Sequence, residues 1–203
     1  MEFTIKNCRI EISFLFFATL TFSLLCDRSG IAGIGVLAAI LHESGHILLM
    51  NIFGIPPRKI KMNPFGIDIV EGDRAYPSRL TDALIALAGP TANLLSFFAL
   101  LAWFSVWPQR YLFFLSAANL GLFLFNILPI EPLDGGQALY SFLCLRFPEA
   151  QAAHITEVVS FFALFPLAAA GFLALFRSGY NFTLLLAAGY LAALLLLKKG
   201  RYF

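Results

Sequence analysis

The sequence predicts an all-α polytopic membrane protein of about six transmembrane helices, and two observations carry that expectation. Of 203 residues, 60% are hydrophobic and only 13% charged, about half the charged share of a water-soluble domain, so most of the surface must face lipid. Six apolar segments, roughly 10–26, 31–53, 80–107, 111–128, 155–176 and 180–197, each come near the ~20 residues that cross about 30 Å of hydrocarbon as helix. No repeat or low-complexity tract interrupts them, and the chain reads as a single membrane-embedded domain over 1–203.

The remaining composition excludes several classes. A net charge of +2, with no basic run interleaved with aromatics, argues against nucleic acid as a partner. Cys8, Cys26 and Cys144 are odd in number and lack C-x-x-C spacing, which fits neither a disulfide framework nor a zinc ribbon.

The first segment, "ISFLFFATLTFSLLC" after Lys6 and Arg9, has the look of a signal peptide, but "CDRSG" offers no A-x-A-like cleavage site and more apolar spans follow at once. An uncleaved first helix is the expectation. With the amino end in the cytoplasm, eleven of the fourteen Lys and Arg fall on the inner side and only Arg28, Arg110 and Arg177 outside, a positive-inside bias that also places both termini and both long loops in the cytoplasm.

The second segment contains "AAILHESGHILLM", residues 38–50. Ionisable side chains in hydrocarbon are costly unless something satisfies them. His42 and His46 are four apart, so on a helix their imidazoles lie on one face about 6 Å apart along the axis. A glutamate directly after the first histidine completes H-E-x-x-H, in which the histidines hold zinc and the glutamate, here Glu43, activates a water. The competing reading is coincidence or a structural histidine pair. With three His and seven Glu in the chain, the composition predicts about 0.0015 occurrences of the motif, which disfavours coincidence.

After this span, "KIKMNPFGIDIV" alternates apolar and polar residues around Asn63-Pro64-Phe65-Gly66, a sequence suited to a type I turn. It predicts a membrane-associated β-hairpin over 58–71, with a solvated loop as the alternative. The third and fourth spans follow. The fourth ends in "NILPIEPLDGGQ", whose prolines and Gly-Gly pair cannot continue a helix; at membrane depth such backbone is tolerated only when buried in protein or lining a wet cavity.

A catalytic zinc has three protein ligands and keeps a fourth position for water. Topology puts Asp68, Glu71, Asp73, Asp82, Glu131, Asp134, Glu149, His154 and Glu157 on the same side as the histidines. Asp134 stands out for its place on the broken backbone; the alternative is that it caps a short helix, "GQALYSFLCL". His154 reads as a surface histidine opening the fifth span.

"HESGH" in one span and "NILPIEPLDGG" at the end of a later one resemble the site-2 protease family of intramembrane zinc metalloproteases (peptidase family M50). That family pairs H-E-x-x-H with N-x-x-P-x-x-x-L-D-G, matched here by Asn126, Pro129, Leu133, Asp134 and Gly135. "AGPTANLL", with Gly89, Pro90 and Asn93, is similar to the small-residue motif of the family's intervening helix. The resemblance covers about residues 31–137 and implies a three-helix catalytic core there, with accessory spans at about 10–26, 155–176 and 180–197 similar to the branch that processes a sporulation pro-sigma factor. It implies that His42, His46 and Asp134 bind Zn2+, that Glu43 is the catalytic base and acid, and that Asn126 orients the substrate; an Asn bonding between helices is the alternative for Asn126. The implied substrate is a transmembrane or membrane-associated protein, cut within or near its transmembrane segment in regulated intramembrane proteolysis. The implied setting is the lipid bilayer of a bacterial cell membrane, with the site reached from the cytoplasmic side and regulatory membrane proteins as further partners. The chain departs from the branch in stopping at "KKGRYF", so control by a CBS or PDZ domain is not expected. A membrane zinc transporter or sensor using the same cluster is the rival reading, disfavoured because the first, fifth and sixth spans hold almost no polar residues to make a path.

Overall fold

The computed structural model describes residues 2–5, 8–63, 66–71, 78–179 and 182–198. Helices account for all six apolar segments, and a small sheet is added to them. The chain divides into two compact units, one of residues 1–81 and 88–124, the other of 82–87 and 125–203.

The first unit opens with strands β1 (Glu2–Ile5) and β2 (Cys8–Ile12), followed by helices α1 (Phe14–Cys26) and α2 (Ile31–Ile52) and then strands β3 (Pro57–Asn63) and β4 (Gly66–Glu71). The hairpin expected over 58–71 is present, but as half of a four-stranded sheet of order β1-β2-β3-β4. β2 pairs with β3 in parallel, Arg9 opposite Lys59 and Glu11 opposite Lys61. The all-α expectation is corrected on this point, and so is the start of the first span: residues 10–12 are strand. The cause is legible in Arg9-Ile10-Glu11-Ile12, which alternates with period two exactly as a half-buried strand does. On the polar face Glu11 takes Lys59 at 2.9 Å and Arg9 at 3.1 Å; the hydrogen bond from Lys59 foremost holds the Glu11 carboxyl below the usual range.

Helix α1 is left with 13 residues and buries none of them, a length of about 20 Å that falls short of the bilayer core. Helix α2 has 22 residues, about 33 Å, long enough to cross it. Asp27 holds the entry to α2, its carboxylate accepting from the amide N–H groups of Ser29 at 2.8 Å and Ala32 at 2.5 Å. Gly54, at φ +70°, ends the helix. There the Ile55 N–H donates to Met50 O and the Gly54 N–H to Asn51 O, the paired bonds of a left-handed C-terminal cap. Helices α3 (Arg79–Val106) and α4 (Arg110–Asn126) complete this part of the chain. Ser78 caps α3 by accepting from the Thr81 N–H, and Pro90 inside α3 removes one intrahelical donor.

In the second unit the chain leaves α4 irregularly, then forms α5 (Asp134–Leu143), α6 (Glu149–Ser178) and α7 (Thr183–Lys198). Ile130, Leu133 and Leu191 make its apolar centre, with Phe125, Leu128, Leu164 and Leu167 against them. The α6 and α7 backbones approach closely at Gly171, where a Cβ would lie 2.9 Å from Leu185 N. Among the described residues three helices, α2, α3 and α6, are long and apolar enough to cross a membrane, with α1 and α7 apolar but shorter. Helix α4 has 17 residues.

Candidate metal centre

Helix α2 supplies the histidines. Its buried residues, Ala38, His42, Gly45, His46 and Met50, recur every three or four positions, so both imidazoles lie on the stripe that packs inward. His42 is 7% and His46 9% exposed. Their Nε2 atoms stand 3.2 Å apart, with the rings edge to face at 75°. Two nitrogens bound to one tetrahedral zinc at 2.0–2.1 Å are separated by roughly 3.3 Å, so the pair already has the spacing of two ligands on one ion. Glu43 follows His42 on the same turn and is half-buried.

Helix α3 passes directly behind these rings. At Gly89 a Cβ would stand 2.2 Å from His46 Nε2 and 2.7 Å from His42 Nε2, and at Gly45 a Cβ would stand 2.6 Å from Ala88 O. Both positions need glycine, because only a hydrogen there leaves room for α2 and α3 to cross with two imidazoles between them. Asn93, one turn further along α3, faces His42: its Oδ1 lies 2.5 Å from His42 Nδ1.

The second unit shapes Asp134. Residues 127–133 run without regular helix, held by the Ile130 N–H to Leu128 O and the Leu133 N–H to Ile130 O, both 2.8 Å. From α6, Ser160 Oγ accepts from the Glu131 N–H at 2.9 Å. The start of α5 is pressed onto this segment: Cβ atoms would fall 2.3 Å from Ile127 O at Gly135 and 2.2 Å from Ile130 O at Gly136. The Gly-Gly pair is there for that contact. Asp134 is the first residue of α5, and Leu133 stands at its N-cap. Asp134 is half-buried and its Oδ2 is sealed from solvent.

Asn126 is the last residue of α4, half-buried. Of the other third-ligand alternatives, Glu149, His154 and Glu157 are exposed on α6, Asp82 and Glu131 are half-buried, and the side chains of Asp68, Glu71 and Asp73 lie outside the described residues. Sequence reasoning missed Asn119 of α4, which is fully buried and joined to Asn93. A lone amide within an apolar span was the available signal.

Residues 102–167 match the family model of peptidase family M50, a stretch that holds both Asn126 and Asp134. Stage IV sporulation protein FB of Bacillus subtilis is 30% identical over 121 residues, 59% of this chain and 42% of that protein. Over residues 102–167 the chain is similar to peptidase family M50. A putative zinc metalloprotease of Synechocystis is 33% identical over 110 residues, 51% of this chain and 28% of the relative. The chain thus spans less than half the length of these two curated relatives. Its fold is also that of the site-2 protease from Methanocaldococcus jannaschii, at a TM-score of 0.67 and 22% identity over 94% of this chain and 91% of that one.

Proposed function

We propose that this chain is an intramembrane zinc metalloendopeptidase that hydrolyses a peptide bond of a membrane-associated protein, within or near its transmembrane segment. The observation that carries the reading is the buried imidazole pair in the middle of an apolar helix, with Nε2 atoms at ligand spacing. In this reading His42, His46 and Asp134 would hold the metal ion, since two imidazoles with one carboxylate are a donor set proper to a catalytic zinc. When bound, zinc would supply a Lewis acid for the scissile carbonyl and a water acidic enough to attack at neutral pH. Glu43 takes the proton of the attacking water and later hands it to the leaving amine. Asn126 donates from its amide to the substrate backbone and fixes its orientation.

Helical amides are shielded by their own hydrogen bonds, so the substrate must be extended where it is cut. In the sheet order found, β3 is covered on both sides, which restricts strand addition at the hairpin to the outer edge of β4. The protein works in a bacterial cell membrane with both termini in the cytoplasm and the site reached from that side. Its partners are a membrane-protein substrate, the bilayer and regulatory membrane proteins.

The test is cleavage of candidate membrane substrates by purified wild type and Glu43→Gln, with bound zinc measured in both. The expected outcome is retained zinc with activity lowered at least about 100-fold, the low end of what a positioned acid–base group contributes. The proposal would be falsified if Glu43→Gln cut as fast as wild type. Zinc flux into vesicles that depends on His42 and barely on Asp134 would favour a transporter instead.

A further inference from the structure

The hydrogen bonds behind His42 form a chain that reaches helix α4, and their donors and acceptors can be assigned from the far end. Asn119 Nδ2 donates to Leu115 O of its own helix at 2.8 Å, which leaves Asn119 Oδ1 as an acceptor. Asn93 Nδ2 fills it, donating at 2.8 Å, and also donates to Ala38 O on α2 at 3.1 Å. Both amide hydrogens of Asn93 are then used, so the atom it turns to His42 Nδ1, at 2.5 Å, is its carbonyl oxygen. That oxygen can only accept. His42 must carry its proton on Nδ1, and a neutral imidazole protonated there presents a lone pair on Nε2, the nitrogen that faces His46.

The reverse arrangement is disfavoured at every link. Turning Asn93 over would set its oxygen against Ala38 O and Asn119 Oδ1, two acceptors, at a site where Asn93 and Asn119 are both 0% exposed and no water can substitute. Asn119 bonds to Asn93 and to Leu115 O, and it determines which way Asn93 points.

We infer that Asn93 and Asn119 are positioning residues: an amide relay from α4 through α3 that locks His42 in its Nδ1–H tautomer and thereby sets the metal affinity of the histidine pair. The inference rests on the zinc reading above. Outer partners of metal-bound histidines fix tautomer and ring orientation, and their loss typically costs about 10- to 100-fold in metal affinity. Asn93→Leu removes the acceptor itself and takes the full effect. Asn119→Leu leaves the Asn93–Ala38 bond in place and takes a smaller one.

The experiment combines two readouts on the full-length protein in detergent. Chelator competition gives zinc affinity, and 15N NMR of histidine-labelled, metal-free protein gives the tautomer, with only three histidines in the chain to assign. The expected result is an Nδ1–H signal for His42 in wild type, a mixed or Nε2–H signal in Asn93→Leu, and zinc affinity about 10- to 100-fold weaker in Asn93→Leu. If Asn93→Leu does not fold, a partial shift of both readouts in Asn119→Leu supports the relay and wild-type values in it overturn the relay. Unchanged tautomer and affinity in Asn93→Leu overturn it as well, leaving the two amides as helix–helix contacts. Failure of the wild type to bind zinc would remove the metal reading, while the tautomer signal still decides the relay.

Discussion

Gly89 shows how little freedom the histidine pair has. A methyl group there would sit on the two Nε2 atoms, at 2.2 and 2.7 Å, the nitrogens that a metal takes. Gly89→Ala is therefore expected to leave a membrane-inserted protein whose zinc affinity, measured by chelator competition, falls at least about 10-fold, the low end for a change that misorients metal-binding histidines; wild-type affinity would show that α3 stands further off. At this scale the sequence was most informative where spacing carries chemistry. His42, Glu43 and His46 follow from an i, i+4 pair with an intervening acid. Gly89 and Asn93 were noted only within a resembling motif, and Asn119 not at all. A single amide or glycine has no spacing to read, and its purpose appears only once another helix lies against it.

Among the elements, the segment 127–133 carries the most constraint per residue. Two prolines stop α4, two glycines let α5 close onto the freed carbonyls, and Ser160 from α6 pins the Glu131 N–H at 2.9 Å. Ser160 is fully buried, so Ser160→Ala leaves backbone groups without that partner, at a cost of about 1–3 kcal/mol. A lowered thermal midpoint of the purified protein is the expected outcome, and an unchanged midpoint would mean that the segment is held by its apolar packing alone. Helix breaking here was legible from Pro and Gly; the role of Ser160 was not, because it depends on contact between residues 29 positions apart. The first span was overestimated for a related reason. Residues 10–12 are apolar enough to extend a helix, but the alternation from Arg9 to Ile12 is satisfied by pairing with β3, some 50 residues on, and that partner cannot be seen from hydropathy.

For the whole molecule, charge distribution gives an orientation that the native cysteines can test. Cys26 is exposed at the end of α1, where the proposed topology puts the extracytoplasmic side, and Cys8 lies in β2 on the cytoplasmic side. A membrane-impermeant maleimide added to intact cells is expected to label Cys26 and to reach Cys8 only after permeabilisation; the opposite order would invert the proposed topology. Fold class was largely readable, since lipid as solvent leaves a strong compositional mark. Hydropathy alone does not fix the count of spans, because apolar runs of 13 to 17 residues fall between a crossing helix and a shorter membrane-associated one. The account's central claim is that two imidazoles of α2 and the carboxylate opening α5 share one zinc ion. Zinc K-edge absorption of the detergent-purified chain, beside Asp134→Ala, tests it most directly. The account predicts nitrogen and oxygen neighbours at about 2.0–2.1 Å with imidazole scattering, and a changed shell or lost zinc in the variant. A sulfur shell near ~2.3 Å, or a spectrum indifferent to Asp134→Ala, would contradict it.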